Sequence, residues 1–268
     1  MWKRLASHFN NLSVKYFSSH QSEVNHCSFS RDGQLLLTGS DDCNVCVWNV
    51  KNEKLRSTVK GHTGPVKACA FSADATLFAS GSSDCTVRVW NVKTGVCLHV
   101  LKGHSKMVET VCFSHDMNLL VSGSWDHTAI LWDPKSGRLV KSLSGHHNVI
   151  KTCAFSVKAG YLASGSWDKT VRVWDPRNGR LIFLLKEHTG RVMALSFSLD
   201  SILLVTAAGD ETIRVWDCED GECKKTLKCH LDLIFSCQFS PSNTLLTAGT
   251  SDYELTTEST TSILHQEF

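Results

Sequence analysis

Five stretches of the chain each hold a hydroxyl residue, a histidine and an aspartate. The sets are Thr38/His20/Asp42, Ser80/His62/Asp84, Ser122/His104/Asp126, Ser164/His146/Asp168 and Thr206/His188/Asp210. This is the residue set of acyl-transfer catalysis, in which a histidine oriented by a carboxylate activates a hydroxyl nucleophile. Catalysis, however, needs one nucleophile in one cleft, whereas here the set recurs five times. Repetition points instead to a structural use, so the expectation is that the chain is not an enzyme. Cys43-x-x-Cys46 has the look of half a zinc site. It falls in an expected strand, where residues three apart point to opposite faces and cannot chelate together. No G-x-x-x-x-G-K-[ST] phosphate loop is present: Gly160 to Ser166 lacks the lysine. Neither a metal nor any other cofactor is expected.

The elements that carry these residues repeat. Tyr161 to Arg177 reads YLASGSWDKTVRVWDPR, with close copies at 35–51, 77–93, 120–135 and 203–219. Tryptophan falls at 48, 90, 132, 174 and 216, a step of 42 residues. Histidine falls at 20, 62, 104, 146, 188 and 230, and aspartate at 42, 84, 126, 168, 210 and 252, with the same step. Three residue types that keep one period signal a repeat architecture. Each unit reads as short strands separated by turns. Gly95, Gly137, Gly179 and Gly221 close the last turn, where a left-handed backbone suits a tight hairpin. No helical period of useful length is visible. The sixth unit decays: Glu258 stands where tryptophan is expected and Ala248 where the hydroxyl is expected.

The Gly-His pairs at 61–62, 103–104 and 145–146, the Ser-Gly-Ser-x-Asp turns and the Trp-Asp ends resemble the WD40 family over about residues 12–252. The resemblance implies an all-β propeller of six blade units of about 42 residues, the sixth incomplete. It also implies that residues 12–19 act as an outer strand that pairs with the last blade and closes the ring. On this reading 1–11 is a flexible arm, 12–257 a single propeller domain and 258–268 an irregular tail. The family further implies a buried chain running from Trp N–H to hydroxyl, hydroxyl to His, and His to Asp. Its members are His62, Ser80, Asp84 and Trp90; His104, Ser122, Asp126 and Trp132; and His146, Ser164, Asp168 and Trp174. The hydroxyl could equally stand two positions on, at Ser82 or Ser124, under the same logic.

Lys and Arg total 28 and Asp and Glu 26, a formal charge of +2. That bias is too weak to imply nucleic acid or an anionic membrane as partner. No apolar run approaches the length of a membrane span, and MWKRLASHFN has no apolar run behind its basic pair to make a secretory signal. Cys27, Cys69, Cys153 and Cys237 share one repeat slot with Val111 and Leu195, which marks the slot as buried and apolar. The twelve cysteines therefore read as reduced thiols, and the expected location is the cytoplasm, with the nucleus possible.

With the polar chemistry of each unit spent internally, function is expected on the propeller's faces. The residues before the repeat aspartates, and those that flank the inner strands, should surround the channel mouth. Trp125 and Trp167 stand there on adjacent units and fill no repeat role. With Met107, Val149, Lys151, Arg191, Met193 and Phe235 they form the expected protein-binding patch, since aromatics, Met and Arg enrich interface cores. The expected role is a scaffold that binds protein or peptide, with no small-molecule substrate and a monomeric state. A second expectation concerns Leu162–Arg177. This run resembles a motif by which some WD40 proteins dock, as substrate receptors, on the adaptor of a cullin-based ubiquitin ligase. Arg177 is the one residue in it that the blade does not otherwise need.

Overall fold

The structure, a computed structural model, describes residues 15–158, 160–228, 234–239, 245–250 and 255–259; for 235, 245–248, 250 and 255–259 it describes the backbone only. Among the described residues every regular element is a strand. Blade one comprises β1 (Val24–Phe29), β2 (Leu35–Ser40), β3 (Asn44–Asn49) and β4 (Lys54–Lys60). Blade two comprises β5 (Val66–Phe71), β6 (Leu77–Ser82), β7 (Thr86–Asn91) and β8 (Cys97–Lys102). Blade three follows as β9 (Val108–Phe113), β10 (Leu120–Ser124), β11 (Ala129–Asp133) and β12 (Arg138–Leu143). Blade four holds β13 (Ile150–Phe155), β14 (Leu162–Ser166), β15 (Val171–Asp175) and β16 (Arg180–Leu185). Blade five holds β17 (Val192–Phe197), β18 (Leu203–Ala208), β19 (Ile213–Asp217) and β20 (Cys223–Leu227). Blade six has three strands: β21 (Ile234–Phe239), β22 (Leu245–Thr250) and β23 (Leu255–Ser259). All pairings are antiparallel meanders, so each sheet is formed by neighbours in sequence.

Burial changes systematically across a blade. The second strands are covered on both faces; all five residues of β10 and of β14 are buried. Strands covered in this way lose the inside–outside alternation and read as continuous small and apolar runs. The outer strands are more exposed, and β8 and β20 keep the alternation, with exposed and covered residues taking turns. The turns before the outer strands of blades two to five carry left-handed glycine, for example Gly137 at φ 71°, and Glu53 takes that conformation in blade one.

The cores lie between blades rather than within them. Leu37, Val45 and Val47 of blade one pack with Val66, Cys69, Phe78 and Trp90 of blade two. The same arrangement joins blades two and three, three and four, four and five, and five and six. A blade is thus stable only against its neighbours, as in other stacked repeats.

The expected closing strand is not formed by the described part of its segment. Residues 15–19 make no strand, and β23 is the last strand of the sixth sheet. The physical reason is visible at blade one. Phe17 meets Trp48 edge to face at 5.5 Å, and Lys15 Nζ donates to the Val50 carbonyl at 2.9 Å. The segment covers Trp48, on which no other blade packs among the described residues, instead of pairing with blade six. Residues 1–11, His230, Asp252 and the tail from 260 onward lie outside the described residues.

The seam between blades six and one is open among the described residues. Successive inner strands pack against one another from β1 through β21, but β21 does not pack on β1 in the same way. Val24 is 52% exposed and Phe29 59%, whereas Val66, Val108, Ile150, Val192 and Ile234, which repeat the Val24 position, are each 0% exposed. Cys27 is exposed too, which corrects the expectation that its slot is buried; Cys69, Cys153 and Cys237 are buried there as expected. Each such side chain contributes about 1.5–3 kcal/mol when fully covered, so blade one forgoes much of a normal interface. Local opening therefore starts at this seam. In native-state hydrogen exchange the amides of β1 are expected to exchange before those of β9 and β13. Equal protection in the three strands would show that blade one is as firmly held as its neighbours.

Candidate functional site

Among the described residues each repeat histidine sits in the loop that leads into a blade, and each repeat aspartate in the turn between the second and third strands. In blade two the Trp90 indole N–H donates to Ser80 Oγ at 2.9 Å. Ser80 Oγ lies 2.7 Å from His62 Nε2, and His62 Nδ1 lies 2.8 Å from Asp84 Oδ2. Only one proton arrangement satisfies every atom: the hydroxyl, already accepting from tryptophan, donates to Nε2, and Nδ1–H donates to the carboxylate. The chain Trp132–Ser122–His104–Asp126 has the same contacts at 2.8, 2.8 and 2.8 Å. Trp174–Ser164–His146–Asp168 follows at 2.9, 2.9 and 2.8 Å. Trp48–Thr38–His20–Asp42 and Trp216–Thr206–His188–Asp210 complete the set.

Ser82, Ser124 and Ser166 do a different job. Each donates to the carbonyl eighteen residues back and accepts the aspartate's amide, which pins the turn. A further hydroxyl was not singled out from the sequence. Thr86, Thr128, Thr170 and Thr212 each donate to the repeat aspartate, at 2.6 Å in blade three. Their signal is in the sequence, a threonine two residues after the aspartate in blades two to five.

The electrostatics agree with a neutral ring. Burial lowers His62 and His188 below the ordinary 6.5, and the paired aspartates offset this only in part. Burial alone would raise Asp84; hydrogen bonds from Thr86 and His62 outweigh it and hold the carboxyl down to about 2. Asp126, Asp168 and Asp210 are held low by the same balance. None of the hydroxyls is open to a substrate: Ser80, Ser122, Ser164 and Thr206 are each 0% exposed. Among the described residues no group of three or more His, Cys, Asp or Glu is placed to hold a metal ion. Cys46 is buried in β3 with Thr58, while Cys43 lies in the preceding turn. No helix is long and apolar enough to cross a membrane, among the residues described.

The end of the propeller that carries the aspartate turns brings together the tryptophans of blades three and four. Trp125 and Trp167 meet edge to face with centroids 5.2 Å apart. Trp125 Nε1 donates to Glu109 Oε1 at 2.8 Å, and Lys151 Nζ reaches Glu109 Oε2 at 2.7 Å. Arg191 lies over the Trp167 ring, 4.7 Å from its centroid. Trp167 Nε1 is buried and has no hydrogen-bond partner. Both tryptophans, Met107, Lys151 and Met193 are half-buried, and Arg191 is exposed. Glu109 stands between Trp125 and Lys151, a link that only the fold reveals.

Val149 departs from expectation: it is 3% exposed. Its carbonyl accepts the Trp167 amide at 2.9 Å, so it supports the patch from beneath and is not part of its surface. The Phe235 side chain lies outside the described residues. Within Leu162–Arg177, Leu162, Val171, Val173 and Trp174 are buried in the blade. The Arg177 side chain is 83% exposed, but its guanidinium grips its own Asp175.

Residues 11–49, 53–91, 95–133, 137–175, 179–217 and 221–255 match the family model of the WD domain, G-beta repeat. The chain belongs to the WD40 repeat family. Proteins of this family are generally non-catalytic interaction scaffolds. WD repeat-containing protein 38 of Homo sapiens is 50% identical over 42 residues, which is 16% of this chain and 13% of that protein. WD repeat-containing protein 38 of Mus musculus is 48% identical over 42 residues, 16% of this chain and 14% of that protein. The matched stretch therefore spans about a seventh of the length of these curated relatives.

Two outcomes follow from the buried chain. Ser122→Ala leaves the Trp132 N–H without its acceptor and His104 Nε2 without its donor; the expected cost is about 1–3 kcal/mol in urea unfolding. A cost near zero would mean that the hydroxyl is not bonded as described. The pH dependence has a definite sign. Folded His62 and His188 bind protons less readily than the unfolded chain, so stability is full above pH 6.5 and falls as pH drops below it. Asp84 adds a second loss as pH falls from 3.8 towards about 2. A melting temperature that stays level or rises between pH 8 and pH 5 would contradict this.

Proposed function

We propose that the chain is a non-catalytic scaffold that binds a protein or peptide on the face carrying the aspartate turns, centred on Trp125 and Trp167. The observation that carries this reading is the aromatic pair itself. Blades three and four already have their structural tryptophans, Trp132 and Trp174, in the buried chains. Two further indoles held half-exposed at the junction of two blades have no role in holding either blade together. Such rings offer a rigid apolar surface at little entropic cost, and Arg191 on Trp167 extends it with a cation. The Glu109–Lys151 pair fixes the Trp125 ring before any partner arrives, which spares the cost of ordering it on binding.

The ligase-receptor reading has less to support it, because Arg177 is tied to Asp175 and its neighbours in the motif serve the blade. The free thiols among the described residues suit a reducing compartment, and we place the chain in the cytoplasm or nucleus on that ground.

Affinity purification with the wild type and a Trp125→Ala, Trp167→Ala double variant tests the proposal. Loss of each anchor is expected to weaken the bound partner by about 2 kcal/mol or more, roughly thirtyfold. A correctly folded double variant that retains every partner would move the site elsewhere.

A further inference from the structure

We propose that the end of the propeller opposite the aspartate turns holds a pocket for the C-terminal residue of a peptide, one that joins a free carboxylate to an apolar side chain. Each first strand runs from the aspartate end to this one, so the turns that follow β1, β5, β9 and β13 gather here. Arg31, Phe71, Phe113, His115, Phe155 and Val157, drawn from four blades, surround a cavity of about 220 Å³. It is separate from the Trp125–Trp167 patch, which stands at the aspartate end.

One side of the cavity is apolar. Phe113 is buried, while Phe71, Phe155 and Val157 are half-buried and keep part of their surface uncovered. The other side is basic. Arg31 Nη1 lies 3.4 Å from His115 Nε2, a contact that crosses from blade one to blade three. That distance exceeds the normal range of an N–H hydrogen bond, and among the described residues it is the guanidinium's only polar contact. Both residues are exposed. The carboxylates of the same turns are engaged elsewhere. Asp32, Asp74 and Asp116 accept from the Oγ of Ser30, Ser72 and Ser114, each at 2.6 Å, and from the amides of Gln34, Thr76 and Asn118. Their charge opposes an anion at longer range, so affinity must come from direct contact with Arg31 and from the apolar wall.

The size of the cavity selects the ligand. Sites for drug-sized molecules span about 300–1,000 Å³, so this one holds a single side chain rather than a cofactor. An acidic residue inside a peptide sets its carboxylate and a neighbour's apolar side chain on two residues. A C-terminal residue carries both on one carbon, within reach of both sides of the cavity. Arg31 presents a planar fork that matches the two carboxylate oxygens, and the His115 ring, released from Arg31, adds an N–H. The side chain then covers Phe71, Phe155 and Val157, the apolar surface left open in the free protein.

Nuclear magnetic resonance titration of the full chain with the peptide acetyl-Gly-Gly-Ser-Phe tests this. Saturable binding is expected. The C-terminal amide of the same peptide, and acetyl-Gly-Gly-Asp-Phe-amide with its carboxylate inside the chain, are each expected to bind about tenfold more weakly or worse. Arg31→Gln, a change to an exposed side chain, should weaken the free acid by a similar factor, and so should Val157→Asp at the apolar wall. A correctly folded Trp125→Ala, Trp167→Ala variant should bind it as the wild type does, which keeps this site distinct from the aromatic patch. Absence of saturable binding at millimolar peptide would overturn the proposal. So would an amide or internal-acid peptide that binds as tightly as the free acid, an affinity untouched by Arg31→Gln, or binding lost in the folded double tryptophan variant.

Discussion

The hydrogen bond from a buried hydroxyl to a histidine is the contact on which blades one to five depend. It joins two groups that could not be buried separately. A tryptophan N–H, a hydroxyl and an imidazole taken out of water each cost free energy unless paired. In the chain from Trp90 to Asp84 each group answers the next, and the charge ends on a carboxylate held by Thr86 and backbone amides at the edge of the blade. A fully satisfied network of this kind rigidifies a core, whereas a partly satisfied one weakens it. The chain also spans the blade, tying the loop before the first strand to the turn after the second and to the third strand. That is why the same residues recur every 42 positions and why they cannot also serve as a catalytic centre.

The blades then depend on one another. Because the apolar clusters lie between sheets, an end blade without a neighbour is left with an uncovered face. Blade one shows the consequence in Val24, Cys27 and Phe29, and the short segment around Phe17 only covers Trp48. The aromatic patch lies away from this seam, on blades three and four, whose faces are covered on both sides. A binding surface gains from that placement, since a rigid support keeps its rings in position.

Much of the fold was legible because periodicity is a strong signal. The 42-residue step gave the number of blades, the strand order within each blade and the buried Trp–hydroxyl–His–Asp sets. The choice between Ser80 and Ser82 was not legible: both are serines of one turn, and only the strand register decides which faces His62. Over residues 15–19 the closing strand is not formed; 12–19 match an outer strand in pattern, while pairing depends on a distant blade that sequence spacing cannot place. Cys27 went the same way, since slot membership predicts burial only where the adjacent blade is present. On the candidate site, Trp125, Trp167 and Arg191 could be read from their positions. Val149 could not, because it lies in the loop just before β13, where exposure depends on what the neighbouring turn lays over it. Glu109 could be placed on the rim from its position, but not its link to Trp125 and Lys151, because these partners are sixteen and 42 residues away on two different blades.

The central claim is the proton arrangement of the buried chains, and nitrogen-15 spectra of the histidine rings read it directly. For His62 and His188 at neutral pH the account predicts a neutral ring with the proton on Nδ1 and a bare Nε2 accepting from Ser80 or Thr206. A proton on Nε2, or a doubly protonated ring, would contradict it, since the hydroxyl would then have no acceptor and the chain from tryptophan to aspartate would be broken at its centre.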